Sequence, residues 1–202
     1  MTDADTPTLT KRAEIIIAAR GEFQERGFES ASMDRISQNA GVSKRTVYKH
    51  FTSKENLFHA IVEELATRLG EALDVAYTSD KPIEQQLRDL AWAEAALFMS
   101  DDFMRTARMV LGEIIRDTKM SHEVQCRLDK TDVIEKFMRD AKEDGVLDIA
   151  DTLAATREFI GLLKATGFWP AIYGGELVTE DAMRNTVDSA VAMMLARYRP
   201  SA

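Results

Sequence analysis

The sequence predicts an all-α protein in which a small N-terminal three-helix unit, containing a helix-turn-helix, precedes a larger helical domain. Apolar residues recur every three or four positions along most of the chain, which is typical of amphipathic helices. No segment alternates apolar and polar residues clearly enough to indicate a half-buried strand. Serines and glycines fall where these helices would begin and end.

The composition suits a soluble globular protein with a core of its own. The 202 residues are 45% hydrophobic and 30% charged, and no run of about 18 apolar residues could span a membrane. The N-terminus carries acids and no apolar stretch, so it is not a secretory signal. Because Cys126 is the single cysteine, no intramolecular disulfide can form, and we expect a cytoplasmic protein without membrane contact.

The first two helices are delimited by residues that favour helix ends. The first is predicted from about Thr10 to Arg26, with Gly27 ending it in the left-handed conformation. Ser32 can cap the second, short helix, because its hydroxyl can accept from an otherwise unpaired backbone N–H. Gly41 would then close that helix and open a tight turn.

The third and fourth helices follow from the same signals. Ser43 is the predicted cap of the third, in which Val47 and Phe51 lie four residues apart and face inward. Ser53 is the predicted cap of a longer fourth helix, which would connect the two parts of the chain.

The polar segment 78–82, which ends in Pro82, is the predicted domain boundary, since proline suits the first turn of a new helix. We therefore divide the chain into a helix-turn-helix domain, 1–55, a connecting helix and linker, 56–80, and a larger helical domain, 81–202. Pro170 should kink or terminate the helix that contains it. The five later helices are expected near 82–99, 102–118, 121–144, 151–172 and 179–198.

Basic residues are concentrated in one short segment of an acidic chain. The net charge is −8, yet residues 43–54 contain Lys44, Arg45, Lys49 and Lys54 and no acid. Such a patch is an electrostatic footprint for phosphate, and it lies on a helix whose size suits the major groove of B-DNA. The alternative is that these charges form the solvated face of an ordinary helical protein.

Residues near the start of this third helix would meet base edges. Lys44 and Arg45 can donate to guanine, and Tyr48 can contact a thymine methyl or a phosphate. Four unopposed cations would make binding strongly salt-dependent. Phosphate contacts are expected from Thr46, His50 and Lys54.

The segment from Ile15 to Leu65 closely resembles the DNA-binding domain of the TetR family of transcriptional regulators. Gly21 and Glu22 depart from it, since they replace residues that are more often apolar. The resemblance rests on Phe23, Gly27-Phe28, Ser32, Ile36, Ala40-Gly41-Val42-Ser43, Thr46-Val47-Tyr48, His50-Phe51 and Ser53-Lys54-Glu55-Asn56-Leu57.

The resemblance implies a division of roles within the helix-turn-helix and a regulatory domain after it. Residues 159–175 are similar to the AefR-like subgroup, and family members dimerise through their last two helices. Base contacts are implied for Lys44, Arg45, Tyr48 and Lys49. Phosphate contacts are implied for Ser32, Thr46, His50 and Lys54.

A dimer would double the number of base pairs read, because one recognition helix covers only a few. The alternative for the residues of this face is that they pack inside one protomer. The candidates for a four-helix dimer face are Phe159, Leu162, Leu163 and Thr166 in one helix, and Val187, Ala190, Val191 and Met194 in the next.

Methionines and aromatic residues in the middle of the second domain predict a pocket for an apolar or aromatic effector, since methionine adapts to irregular cavities. Plain core packing is the alternative for each of them. Polar candidates to orient the ligand are Arg108, Glu113 and His122. The pocket candidates are Trp92, Phe98, Met99, Phe103, Met104, Met109, Phe137, Met138, Trp169 and Tyr173.

The sequence thus predicts a DNA-binding regulator, most readily a repressor that binds a pseudo-palindromic operator as a homodimer until a small molecule releases it. A ligand-responsive activator and a ligand-binding helical protein without a DNA role are the alternatives. No glycine-rich nucleotide motif or nucleophile elbow indicates an enzyme or a cofactor. His122 and Cys126 share a helical spacing, but two ligands do not make a metal site, and a lone cysteine is expected in the core.

Overall fold

The computed structural model describes residues 10–200, except for the side chains of residues 118 and 119. Within this part of the chain all regular structure is helical, as predicted. None of its helices combines the length and the apolar character that crossing a membrane requires. The helices are α1 (Lys11–Ser30), α2 (Met33–Asn39), α3 (Lys44–His50), α4 (Lys54–Leu73), α5 (Ile83–Phe98), α6 (Asp101–Arg116), α7 (Thr118–Leu128), α8 (Thr131–Glu143), α9 (Thr152–Gly167), α10 (Trp169–Gly174) and α11 (Glu180–Tyr198).

The predicted starts of α2, α3 and α4 are confirmed, whereas α1 does not end at Gly27 but continues past it to Ser30. Gly27 has a φ of 73°, in the left-handed region, so α1 kinks there. The hydroxyls of Ser32, Ser43 and Ser53 accept hydrogen bonds from backbone N–H groups in the first turns of α2, α3 and α4. Local chemistry alone therefore positions the three helices that begin at these serines.

Two of the later helices, predicted to be continuous, are each broken in two. The helix expected over 121–144 stops at Leu128 and restarts at Thr131, because the Asp129 carboxylate accepts from the Thr131 N–H at 2.9 Å. The helix expected over 151–172 ends at Gly167, and Pro170 lies in the first turn of α10. Pro82 precedes α5 as its N-cap instead of lying in its first turn.

The N-terminal unit packs directly on the larger domain. The Phe23, Phe28 and Phe58 rings join α1 to α4, with ring centroids 5.4 to 6.3 Å apart. At the α1–α6 contact, Arg20 pairs with Asp102 at 3.2 Å. A movement of α4 or α6 would therefore displace α1, on which the helix-turn-helix packs.

Candidate nucleic-acid interface and ligand cavities

The turn that joins α2 to α3 is closed by its own backbone. The Val42 N–H donates to the Ser37 carbonyl at 3.0 Å, and Gly41 takes a φ of 63°. A residue with a β-carbon is rarely found at such a φ, so glycine is what allows the tight turn. α3 therefore begins at a fixed angle to α2.

One face of α3 is buried and the other faces water. Val47 is buried in the N-terminal core, as is Phe51, which follows the helix. Tyr48 is 50% exposed and is one of the large side chains that the protein leaves open to water. The outward side chains are the four predicted for base contacts, Lys44, Arg45, Tyr48 and Lys49, together with His50.

The cations of this face differ in their partners. The Lys44 Nζ lies 2.5 Å from a carboxylate oxygen of Asp34 on α2. Within the described residues, neither Arg45 nor Lys49 has an ion-pair partner. Arg45 and Lys49 are thus available to phosphates or bases, whereas Lys44 must first leave Asp34 or share it.

The residues predicted for phosphate contacts are partly engaged within the protein. The hydroxyl of Ser32 caps α2, and that of Thr46 lies 2.8 Å from the Ser43 hydroxyl. The Lys54 ammonium donates to the Glu29 carbonyl at 2.9 Å and lies 4.6 Å from the centre of the Phe28 ring. His50 is exposed. Lys54 therefore also holds the end of α1 against α4.

Glu22 has a positioning role that the sequence analysis missed. Its side chain is 2% exposed, and Oε1 accepts from the Ser32 N–H at 3.1 Å and from the Arg35 Nε at 2.6 Å. The start of α2 is thus tied to α1 by a buried carboxylate. The only signal in the sequence was that Glu22 stands where an apolar residue is more usual. That signal can be interpreted only once the structure shows Arg35 next to Glu22.

The predicted dimer face is corrected by the packing of α9 against α11. Leu162 is half-buried and Thr166 is exposed, but the other six candidates have almost no accessible surface within the protomer. Side chains with so little accessible surface pack inside the protomer, so these six belong to its core, although Met194 also borders the groove described next. They are Phe159, Leu163, Val187, Ala190, Val191 and Met194.

A different set of residues on α9 and α11 faces outward. A groove of about 650 Å³ runs between the two helices, and Met193 in its wall is 53% exposed. Charged side chains flank it, with Arg197 and Glu158 3.4 Å apart. The groove is lined by Arg157, Glu158, Gly161, Leu162, Ala165, Met193, Met194, Ala196 and Arg197. Of the predicted face, Leu162 and Met194 reach it.

The predicted pocket residues do not line one shared cavity among those described below, since one contains only Met109 of this set and another only Trp169 and Tyr173. Trp92 on α5, Met99 after it and Met109 on α6 are half-buried. Trp169 and Tyr173 are exposed and stack on each other, with ring centroids 6.0 Å apart. The remaining five are packed in the core, namely Phe98, Phe103, Met104, Phe137 and Met138.

A cavity of about 380 Å³ lies between α4 and the larger domain and is partly open to solvent, and we name it the Glu94 cavity. Its walls come from α4 to α9 and combine aliphatic with polar side chains; among the charged residues Glu94 is buried, and Lys130 and Lys164 are half-buried. Burial raises the pKa of Glu94 to about 7, against the opposing effect of the Lys164 ammonium. The lining residues are Leu69, Leu73, Glu94, Leu111, Ile114, Gln125, Leu128, Asp129, Lys130, Thr131, Ile134, Ile160 and Lys164.

Two further cavities are partly lined by α6. One, of about 440 Å³, contains Trp169 and Tyr173 and shares Leu111, Ile114 and Gln125 with the Glu94 cavity. The other, of about 500 Å³, lies where α1 meets α6 and is lined by Phe23, Gln24, Gly27, Phe28, Arg105, Arg108, Met109, Gly112, Glu113 and Arg116.

Of the three polar residues expected to orient a ligand, two line a cavity and one is exposed. Arg108 and Glu113 both line the α1–α6 cavity, where burial, and then the Glu29 carboxylate, raise the pKa of Glu113. The Arg108 guanidinium donates to the Ala171 carbonyl of α10. His122 and Cys126 are exposed, so the expectation of a buried cysteine is wrong. The described residues contain no cluster of three potential metal ligands.

Comparison with known proteins gives two family matches and several similar chains. The family described as bacterial regulatory proteins, tetR family, matches residues 15–61, and the AefR-like transcriptional repressor, C-terminal domain, matches residues 85–200. A TetR family transcriptional regulator from Pseudomonas syringae pv. tomato is 34% identical, with all of both chains covered and a TM-score of 0.80.

Two further similar proteins have names that describe their roles. The repressor AcnR of Corynebacterium diphtheriae is 27% identical over 159 residues, which are 76% of this chain and 80% of that one. The structure of the flavonoid-responsive regulator FrrA is 27% identical, with 95% of this chain and 98% of that chain covered and a TM-score of 0.77.

Proposed function

Because this chain belongs to the TetR family of bacterial regulatory proteins and carries an AefR-like C-terminal domain, we propose that it binds a pseudo-palindromic operator as a homodimer and is released by a small apolar or aromatic molecule. It is a transcriptional regulator and not an enzyme. The operator, the dimer and the release by ligand are the parts that we propose.

The outward face of α3 is the observation that carries this proposal. Arg45, Tyr48 and Lys49 are exposed on a short helix anchored by the buried Val47. A helix of this kind fits the major groove, with the residues near its N-terminus on base edges. We assign base contacts to Lys44, Arg45, Tyr48 and Lys49, and phosphate contacts to Ser32, Thr46, His50 and Lys54.

The groove between α9 and α11 is the surface that we propose for the dimer. Small residues, Gly161 and Ala165 on α9 and Ala196 on α11, allow two copies of these helices to approach closely. A twofold axis through this groove would let Arg197 of each copy face Glu158 of the other. Such reciprocal pairing is what a self-complementary face requires. The two α3 helices must then lie about 34–36 Å apart, or a multiple of it, on DNA.

Release by a small molecule requires a site that communicates with α3. α4 begins directly after α3, at the Ser53 cap, and its other end lines the Glu94 cavity through Leu69 and Leu73. A molecule that binds better to one position of α4 shifts the population of that state by its difference in affinity. FrrA, one of the similar proteins, is described as flavonoid-responsive, which supports a small-molecule effector here.

Selection from a random duplex library by the purified protein tests DNA recognition. We expect a motif with two related half-sites, and the double variant Lys44→Ala/Arg45→Ala should lose it because base-edge donors are removed. A matched control is Lys136→Ala/Arg139→Ala, which removes the same two charges from the exposed face of α8. The control should recover the wild-type motif.

The salt dependence of binding to the selected duplex then measures the phosphate contacts, which do not depend on sequence. Removing one cation that binds a phosphate should reduce the slope of log affinity against log salt by about one. Recovery of the same motif by the α3 double variant would contradict the assignment of base recognition to α3. A motif with a single half-site would contradict the dimer.

A further inference from the structure

The Glu94 carboxyl group is a buried polar group whose partner is missing within the described residues. Glu94 is 3% exposed, and no described donor reaches its Oε2 atom within hydrogen-bond distance. A buried carboxyl oxygen without a hydrogen bond costs the full desolvation of that oxygen, which natural proteins rarely tolerate without a functional reason. Glu94 is one of the residues that line the Glu94 cavity, so a molecule bound there could supply the partner if its polar group reaches the carboxyl group.

The other walls of the cavity decide what kind of molecule can enter. Seven of the thirteen lining residues are leucines or isoleucines, from α4, α6, α7, α8 and α9, so the part of the molecule that lies against them must be apolar. The volume of about 380 Å³ is in the range of cavities that hold small ligands. The polar residues of the lining are Glu94, Gln125, Thr131 and Lys164, together with Asp129 and Lys130 of the α7–α8 linker.

The charges of the lining select neither a cation nor an anion. Lys164 would attract an anion and repel a cation, and the Glu94 carboxylate would do the reverse. An ionic molecule would also lose its hydration on entering, so a neutral molecule is favoured. The nearby Lys164 ammonium does not neutralise Glu94 by direct pairing, since its Nζ lies over the Phe168 ring, 5.8 Å from the ring centre. Lys130 and Asp129 at the linker add one charge of each sign.

A hydroxyl group meets the requirement for a neutral partner. It donates to an ionised carboxylate and accepts from a protonated carboxyl group, so it can satisfy Glu94 in both states. This matters because burial brings the pKa of Glu94 to about 7, where both states are populated at neutral pH. At neutral pH a carboxylate ligand can pair only with the protonated state, and an ammonium group pairs best with the ionised state.

We propose that the Glu94 cavity is the effector site of this regulator and takes a neutral, largely apolar molecule whose hydroxyl group hydrogen-bonds to Glu94. The regulatory role of the bound molecule rests on the proposed function. The chemistry of its binding rests on the cavity alone. Leu69 and Leu73 would carry the signal, because they place the far end of α4 against the bound molecule.

Binding of β-naphthol and naphthalene to the full chain tests the chemistry, because the two probes differ by one hydroxyl group. We expect the wild type to bind β-naphthol roughly tenfold to a hundredfold more tightly, as measured by calorimetric titration near neutral pH. Glu94→Leu should abolish this preference by removing the polar partner. Glu94→Gln, which keeps a donor and an acceptor, should retain part of it.

The matched control is Glu113→Leu, which removes a buried acid that lines the α1–α6 cavity instead. It should keep the wild-type preference for β-naphthol. Thermal melts of all variants establish that they are folded, and Glu94→Leu should melt at or above the wild-type temperature. A wild type that does not distinguish the probes, or a Glu94→Leu variant that still does, overturns the proposal.

A second measurement separates this proposal from the proposed function. Affinity for the selected duplex should change in the presence of saturating β-naphthol in the wild type, and not in Glu94→Leu. If β-naphthol is preferred but duplex affinity stays constant, the effector role is overturned. If no variant of α3 affects duplex binding while the hydroxyl preference holds, the DNA-binding function fails and the ligand chemistry stands.

Discussion

The same residue type takes different roles here according to its neighbours. Lys44 is paired with Asp34, Lys49 has no ion-pair partner among the described residues, and Lys54 holds a backbone carbonyl. The acids differ in the same way. Glu22 is buried and bonded to α2, whereas Glu94 is buried with an oxygen left over. The role of each charged group thus depends on how deeply it is buried and on which hydrogen-bond partners remain within its reach.

Glu94 should make the folded protein less stable as the pH rises. Its pKa is raised from 4.5 to about 7, so the folded state retains a proton that the unfolded chain releases. The free energy of unfolding therefore falls between these two values and stays lowered above the higher one. Glu94→Gln should remove a cost on the order of 3 kcal/mol at about pH 8 and much less at about pH 5.

Urea denaturation at the two pH values measures this difference. The exposed acid Glu143 provides the control, since Glu143→Gln should leave the pH dependence of the wild type unchanged. An equal effect of Glu94→Gln at both pH values would show that titration of Glu94 is not the cause.

Helix ends depend on local chemistry in the N-terminal unit and on packing in the larger domain. The serine caps of α2, α3 and α4 lie within each helix's own sequence. The end of α9 is different, because Gly167 is packed against the Phe98 ring of α5 and the Met183 sulfur of α11. A β-carbon at Gly167 would lie 2.7 Å from a Phe98 ring atom.

Two glycine-to-alanine variants should therefore have opposite effects on stability. Gly167→Ala should lower the free energy of unfolding by about 1–3 kcal/mol, because the Phe98 ring must move. Gly21→Ala should raise it by about 1 kcal/mol, because Gly21 lies inside α1 with nothing within 4 Å of its added β-carbon. Both values come from chemical denaturation, and a shared sign would contradict the packing argument.

At the scale of the whole molecule, the connection between the two parts runs through α4 and α6. α4 extends from just after α3 to the Glu94 cavity, and α6 packs on α1. The outer groove of α9 and α11 lies in the same domain as the cavity. A dimer formed there would make the distance between two α3 helices depend on how each protomer holds its α4.

A charge in the α9–α11 groove should prevent the dimer from forming. Ala165→Arg places a long cation among the small residues of that face, and two copies would meet across the twofold axis. Sedimentation velocity should show a dimer for the wild type and a monomer for this variant. Glu143→Arg, on the exposed end of α8 outside the groove, is the control that should remain dimeric. A monomeric wild type, or a dimeric Ala165→Arg variant, would contradict this face.

The sequence by itself determined the all-α class, the helix-turn-helix and the outward residues of α3. Those features depend on short-range signals, such as the Ser43 cap, the Gly41 turn and the spacing of Val47 and Phe51, which all lie within one or two helical turns. Only the tertiary structure decided where α9 ends, which residues of α9 and α11 face outward, and that Glu94 lies in a cavity. Each of these depends on contacts between helices far apart in the chain, such as Phe98 with Gly167, and helical periodicity gives the apolar face of a helix without saying what covers it.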